Sequence, residues 1–234
     1  MIISHKHKFI FIKPQKTAGT SVELLLSRFC GDDDIITPLG FDPDPNVRQK
    51  ANAKPPQNYY RKKPLKHWKL SEVYHYLTKG IKPNLNYWEH LQAHQIKDYV
   101  GDETWNSYKK ISIVRNPWDH AVSWFKWQEK YGYENTKKGE FERYLIYNYR
   151  STWPFYTINY GMYDIDYMIS FENLSEDVDN LLLKLKINSK EKLPKTKANI
   201  RQKRSYEDYY KNSKLYDLVF QKAEPIINKF NYSL

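Results

Sequence analysis

The feature that most constrains the fold is a strand, a short loop and a helix near the start of the chain. The apolar run KFIFI (8–12) is typical of a buried strand, and it leads into the loop KPQKTAGT (13–20). In the following VELLLSRF, apolar side chains at helical spacing predict a helix over 21–29. Glycine, lysine and hydroxyl side chains before a helix start favour binding of a phosphate group, although a plain turn with a Thr or Ser cap is the alternative. The nucleotide-hydrolase signature GxxxxGK[ST] is absent, because the lysine here precedes the glycine.

A second strand, KKISIV (109–114), ends in the motif RNPWD. The Asn, Pro and Asp of this motif are typical of a helix start, so we expect a helix over 120–131. They do not explain Arg115, whose guanidinium at a strand end is well placed for a second phosphate group. Ser123, two helical turns further on, is expected to face the same ligand. A surface arginine paired with a carboxylate is the alternative.

The remaining periodic segments alternate between strand and helix. We expect a strand over 163–171 and helices over 70–80, 94–101, 177–187 and 214–230, the last one kinked or restarted at Pro225. This alternation predicts an α/β fold of three layers, in which a central, mostly parallel sheet is flanked by helices and carries a strand, loop and helix like a phosphate loop. We treat 1–234 as a single domain with an acceptor-side insertion at about 37–88. The first part of the insertion is rich in Pro, Asp, Asn and Lys and long for a loop, so it is either a functional flap or partly disordered.

Composition narrows the class of protein. Apolar residues make up 40% of the chain, which is typical of a globular protein, and the single Cys30 cannot form an internal disulfide, so a reducing compartment is expected. We find neither a signal peptide nor an apolar run long enough to span a membrane, and we therefore expect a cytoplasmic protein. The net charge of +11 favours anionic partners, which include nucleotides, nucleic acids, acidic glycans and membrane surfaces.

The motifs KTAGTS (16–21) and RNPWDxxxS (115–123) together resemble those of sulfotransferases that use 3′-phosphoadenosine-5′-phosphosulfate (PAPS). The resemblance implies that the first motif holds the 5′-phosphosulfate and that Arg115 and Ser123 hold the 3′-phosphate. The residues assigned to the 5′-phosphosulfate are Lys16, Thr17, Ala18, Gly19, Thr20 and Ser21.

The resemblance extends over most of the chain, except about 37–88. It includes SFENL (170–174), the Leu-Pro pair at 193–194 and the final segment KFNYSL (229–234). The family often has Arg where this chain has His120, and Tyr where it has Phe125. A basic stretch before YEDYY implies that Lys203 and Arg204 contact the 3′-phosphate, although a solvated run of charges is the alternative.

Relatives also carry His-x-Ser/Thr-Ala before the second motif, and His90-Leu91-Gln92-Ala93 is similar. This position implies that His90 is the general base for the acceptor hydroxyl, and His94, four residues later, is the alternative. Glu23 and Glu89 are further candidates for the base. Lys16 is expected to neutralise charge on the leaving group.

The sequence thus predicts transfer of a sulfuryl group from PAPS to a hydroxyl acceptor, without a metal ion. The acceptor is expected to be a carbohydrate, because the 37–88 segment is rich in cations and aromatic side chains, and we expect no nucleic-acid partner. Two other functions stay possible: an ATP-dependent small-molecule kinase, which would need magnesium, and a non-enzymatic module that binds polyanions.

Overall fold

The computed structural model describes residues 1–40, 44–63, 65, 68–132, 140–189, 191–194, 205–210 and 212–234. The helices and strands are β1 (Ile2–Ser4), β2 (Phe9–Phe11), α1 (Gly19–Ser27), β3 (Ile35–Ile36), α2 (Val47–Lys50), β4 (Tyr60–Lys62), α3 (Leu70–Lys79), β5 (Asn84–Asn86), α4 (Ala93–Ser107), β6 (Lys109–Val114), α5 (Pro117–Lys130), α6 (Phe141–Tyr147), β7 (Thr157–Ile158), β8 (Met162–Tyr163), β9 (Tyr167–Ser170), α7 (Leu174–Lys184) and α8 (Ser213–Phe230).

Five strands form the central sheet, in the order β3-β1-β2-β6-β9. The pairs β2–β6 and β6–β9 are parallel, whereas β1 is antiparallel to both β2 and β3. Four of these five strands therefore run in one direction, and β1 runs against them. This confirms the predicted α/β class with a mostly parallel sheet.

Helices cover both faces of the central sheet. On β2, Ile10 points to the face covered by α4 and α8, and Phe9 and Phe11 point to the face covered by α1 and α7. Side chains of a strand alternate between faces, and all three of these residues are fully buried. The apolar run KFIFI is therefore a strand buried on both sides, and the sheet with its two helix layers gives the predicted three layers.

The strand predicted over 163–171 is divided in two. Only β9 joins the central sheet, whereas β8 pairs with β7 in a separate two-stranded sheet. The interruption lies at Asp164, whose N–H donates to the carbonyl of Tyr156 (2.9 Å) and whose carboxylate accepts from the indole of Trp105 (2.7 Å). A single strand over 163–171 is therefore wrong, because these polar contacts turn the chain away from the sheet.

The predicted helices over 70–80 and 94–101 are found as α3 and as the first part of α4. Gly80 ends α3 in the left-handed conformation (φ 67°), as expected of a helix-terminating glycine. Gly101 also has a positive φ (80°), but the chain resumes a helix directly after it, so α4 continues to Ser107. The last helix, α8, contains Pro225 within its span.

The region assigned to an acceptor-side insertion contains α2, α3 and the antiparallel pair β4–β5, which lies outside the central sheet. It begins after β3 and leads into the start of α4. Its assignment as an insertion within one domain stays a prediction.

Within the ranges that the structure describes, every helix is too short or too polar to cross a membrane.

Candidate functional site

The two predicted phosphate-binding motifs lie side by side, because the strands that precede them are parallel neighbours. Phe11 of β2 pairs with Ile111 of β6, and the N–H of Ile12 donates to the carbonyl of Ile111 (2.8 Å). The hydroxyl of Ser112 donates back to the carbonyl of Ile12 (3.0 Å). The loop 13–18 and the motif RNPWD therefore leave the sheet at the same edge, which is where α/β sheets bind ligands.

Three side chains from other parts of the chain, and one from the loop itself, hold the carbonyl groups of the loop 13–18. His90 Nδ1 contacts the carbonyl of Lys13 (2.8 Å), His120 Nε2 that of Gln15 (3.0 Å), Arg115 Nη1 that of Lys16 (2.7 Å) and Thr17 Oγ1 that of Pro14 (3.0 Å). A carbonyl only accepts, so each of these side chains is the donor. The loop backbone is thus fixed through its carbonyl groups.

The backbone conformation of the loop suits an anion. Lys16 (φ 60°) and Ala18 (φ 63°) adopt the left-handed conformation on either side of Thr17, an alternation that turns successive N–H groups toward one point. Ala18 caps α1 without a side-chain hydrogen bond. Within the described residues, the N–H groups of Gly19 and Thr20 have no acceptor. These donors lie at the positive end of the α1 dipole.

The side chain of Lys16 extends toward the second motif. Its ammonium lies 5.6 Å from the ring centroid of Trp127 on α5, and the residue is half-buried. The helix that follows RNPWD therefore supplies an aromatic face for the lysine of the first loop. This contact joins the first loop to α5, the helix that begins within the second motif.

Arg115 is buried rather than a surface arginine. Its Nε donates to Asp119 Oδ2 (2.7 Å), and its guanidinium lies over the ring of Phe171, 4.0 Å from the centroid. It is 7% exposed. Ser123 lies one helical turn after Asp119 on the same face of α5, is half-buried, and has no hydrogen-bond partner among the described residues. Arg115 thus contacts the first loop directly, and Ser123 lies one helical turn beyond the carboxylate that binds Arg115.

Lys13 lies beneath the loop in a buried charge network. Its ammonium contacts the carboxylates of Glu23 (2.9 Å) and Glu89, and Arg48 contacts the other oxygen of Glu23. Burial favours the neutral form of Lys13, but the two carboxylates outweigh burial and raise its pKa. Burial would also raise the pKa of Glu23, yet the positive charges of Lys13, the α-amino group of Met1 and Arg48 lower it to about 2. Glu23 is fully buried and paired, which argues against it as the base.

His90 has the geometry of a proton acceptor. Because Nδ1–H donates to the carbonyl of Lys13, the neutral ring carries its lone pair on Nε2. Nε2 lies 3.5 Å from Glu89 Oε1. Burial lowers the pKa of His90 to about 4, although the negative charge of Glu89 opposes this shift. His94 is exposed on the first turn of α4 and makes no polar contact within the described part of the chain.

Lys203 and Arg204 lie outside the described residues, so their contact with the 3′-phosphate stays a prediction. Among the side chains that the structure describes, no group of three or more His, Cys, Asp or Glu residues is arranged to hold a metal ion.

Sequence reasoning missed the residues that position the site from a distance. Glu172, within SFENL, accepts from the N–H of Asn116 (2.8 Å) and from the hydroxyl of Tyr232 (3.0 Å). His120, noted in the sequence only as a departure from the family, holds the first loop through Gln15. Both Glu172 and His120 are polar residues within or beside a sequence motif. That position alone does not reveal which group each side chain contacts.

The comparisons with known proteins agree with this geometry. The model of the sulfotransferase family matches residues 1–230. No curated protein and no solved structure matched the chain. Since the match extends over nearly the whole sequence and includes both motifs of the site, the chain belongs to the sulfotransferase family, whose members are transferases that move a sulfuryl group.

Proposed function

We propose that this protein transfers the sulfuryl group of PAPS to a hydroxyl of a carbohydrate acceptor. The observation that carries the proposal is the meeting of two anion-suited elements at one edge of the sheet. One is the loop 13–18 with the N–H groups of Gly19 and Thr20, which have no acceptor among the described residues, and the other is Arg115, which donates to the carbonyl of Lys16.

The residues present fit PAPS by their donor chemistry. The N–H groups of Gly19 and Thr20 offer donors to a 5′-phosphosulfate at a helix N-terminus, and Lys16 adds an ammonium. Ser123, one helical turn after the Asp119 that binds Arg115, offers the 3′-phosphate a hydroxyl that has no partner among the described residues. When bound, PAPS supplies the sulfuryl group and 3′,5′-adenosine bisphosphate as the leaving group.

The chain's own residues supply the proton transfer and the charge stabilisation. We assign His90 Nε2 as the acceptor of the hydroxyl proton, because its lone pair is unprotonated at neutral pH and the ring is 19% exposed. The nearby carboxylate of Glu89 stabilises the resulting imidazolium. Glu89 is itself fixed by the Lys13 ammonium and the N–H of Gly40. Lys16 stabilises negative charge on the departing phosphate.

A carbohydrate acceptor is supported by the residues around His90 and in the insertion. Trp88 is 47% exposed and its ring contacts His90 edge to face, with centroids 6.1 Å apart. The exposed β4 adds a tyrosine, an arginine and a lysine. Replacing Trp88 with Ala is expected to raise the acceptor KM while leaving affinity for the bisphosphate unchanged.

We further propose a cytoplasmic protein, in keeping with its one buried thiol, Cys30.

Calorimetric titration with 3′,5′-adenosine bisphosphate in the presence of a chelator tests the donor class. We expect tighter binding of the bisphosphate than of 5′-AMP, because only the bisphosphate reaches Arg115 and Ser123. Titration with ATP and magnesium is the comparison for a kinase. No binding of the bisphosphate, or a preference for ATP with magnesium, would overturn the proposal.

The turnover test uses Lys16→Ala, because this substitution removes the ammonium that is proposed to stabilise charge on the leaving group. With PAPS and an accepted glycan, we expect loss of most turnover. Lys126→Ala on α5 is the matched control. Full activity in Lys16→Ala would refute its assignment.

A further inference from the structure

The helix α3 presents its apolar side to solvent. No residue of α3 is buried, and Leu70, Tyr74 and Leu77 are 90%, 65% and 77% exposed. These residues are three or four positions apart and therefore share one face of the helix. Ile81, directly after the helix, is 59% exposed. We refer to Leu70, Tyr74, Leu77 and Ile81 as the outer ridge.

The opposite side of α3 holds the helix to the rest of the insertion. Glu72 accepts from the ammonium of Lys63 (2.8 Å), and the ring of Tyr76 packs edge to face on Trp68, with centroids 5.1 Å apart. The usual orientation of an amphipathic helix, with its apolar face toward the core, is therefore reversed. An exposed apolar ridge of this kind is typical of an interaction surface.

The charge of the surrounding segment indicates the partner. Residues 59–88 contain seven cations and one acid, so their net charge is +6 of the +11 of the whole chain. The cations are Arg61, Lys62, Lys63, Lys66, Lys69, Lys79 and Lys82, and the acid is Glu72. Lys69 and Lys79, at the two ends of α3, are both exposed.

We propose that α3 lies on an anionic lipid surface, with the outer ridge in the interface and the flanking lysines on the headgroups. Apolar and tyrosine side chains on one face, with lysines at both ends of the helix, are compatible with an interfacial helix. A helix of ten residues rises only about 15 Å, roughly half the hydrocarbon thickness, so it lies on the membrane. A second copy of the chain is disfavoured, because two segments of charge +6 would meet.

The test is co-sedimentation of the full chain with vesicles. We expect binding to vesicles of phosphatidylcholine with one-third phosphatidylglycerol, and binding weaker by at least about tenfold to phosphatidylcholine alone. Lys69→Gln with Lys79→Gln is expected to reduce the difference between the two vesicle types. Equal binding to both vesicle types, or no binding, would overturn the proposal.

A matched pair of variants isolates the outer ridge. Leu77→Gln, at a leucine 77% exposed, is expected to lower vesicle affinity by about fivefold or more, whereas Leu183→Gln, at a leucine 72% exposed on α7, leaves it unchanged. Both side chains are exposed, so both variants are expected to fold. Equal vesicle affinity of the two variants would contradict the assignment.

Sedimentation velocity without lipid tests whether a second copy of the chain covers the outer ridge instead of a membrane. A dimer that is lost in Leu70→Gln with Leu77→Gln would show that it does, and would overturn the membrane proposal. Affinity for 3′,5′-adenosine bisphosphate is expected to be unchanged in Leu77→Gln and in Leu70→Gln with Leu77→Gln, so this proposal and the sulfuryl-transfer proposal are tested separately.

Discussion

Arg115 combines two roles at the residue scale. Its guanidinium is held by Asp119 and by the carbonyl of Lys16, so the residue that is proposed to bind the 3′-phosphate also fixes the loop for the 5′-phosphosulfate. Replacing Arg115 would disturb both functions. Ser123 is the better probe of the 3′-phosphate, because its hydroxyl has no partner within the described residues.

We therefore predict that Ser123→Ala weakens binding of 3′,5′-adenosine bisphosphate by about tenfold, the effect of one hydrogen bond to a charged group. Binding of 5′-AMP is expected to be unchanged. Calorimetry on both ligands checks this, with Ser107→Ala on α4 as the control. An equal loss for both ligands would mean that Ser123 does not contact the 3′-phosphate.

Glycine is required at position 19 because the backbone there passes very close to the side chain of Lys13. A Cβ at position 19 would lie 2.6 Å from Lys13 Cγ, and Lys13 cannot move away easily because Glu23 and Glu89 hold its ammonium. We predict that Gly19→Ala lowers the free energy of unfolding by about 1–3 kcal/mol and weakens bisphosphate binding. Urea unfolding measures the first effect.

Gly31→Ala is the matched control for this prediction, since a Cβ there would meet its nearest atom at an ordinary 3.5 Å. Equal stability of the two variants would show that the packing at Gly19 is looser than the structure indicates.

At the scale of elements, the sequence reveals the strands and helices that are encoded by short local patterns. The apolar runs of β2 and β6 and the helix-start residues of α5 are local patterns, and each was predicted. β1 was not, because three residues followed by a polar stretch carry too short a pattern and are stabilised by pairing with β2 and β3. The sequence also does not reveal which side chains donate to the loop carbonyls, because these donors lie far from the loop along the chain. His90, Arg115 and His120 reach the loop from 77, 99 and 105 residues away in sequence.

Two of these loop-holding side chains make the stability of the loop depend on pH. Burial lowers the pKa of His90 to about 4 and that of His120 to about 3, so both are neutral in the folded state near neutral pH. The unfolded chain binds protons near pH 6.5, below which it holds more protons than the folded chain. The contribution of these two histidines to the free energy of unfolding is thus fully present above about pH 6.5. It decreases as the pH falls toward 4, by up to about 1.4 kcal/mol per pH unit for each histidine.

We predict that His120→Gln, which keeps an N–H donor but does not titrate, reduces this dependence. Urea unfolding at several pH values between 7 and 4 is the measurement. The slope of unfolding free energy against pH should decrease relative to the unsubstituted protein. His75→Gln, at an exposed histidine of α3, is the control and should leave the slope unchanged. An unchanged slope in His120→Gln would mean that folding does not lower the pKa of His120.

At the scale of the whole molecule, the net charge of +11 and the site make different predictions about salt. A long polyanion contacts many exposed lysines and arginines, and its affinity falls by about a thousandfold or more between 50 and 200 mM salt when six or more phosphates are neutralised. The proposed bisphosphate site uses backbone N–H groups, the half-buried Lys16 and the buried Arg115, which salt screens much less.

We therefore predict that affinity for the bisphosphate falls by about tenfold or less over this range, while affinity for a single-stranded oligonucleotide is nearly abolished. Fluorescence anisotropy and calorimetry at matched salt concentrations provide the two curves. Ser123→Ala separates the sites further, since it should weaken the bisphosphate and leave the oligonucleotide curve unchanged. If the two ligands lost affinity in parallel, and both ignored Ser123→Ala, the chain would bind anions through its overall charge, and the two motifs at the strand ends would have no part in recognising PAPS.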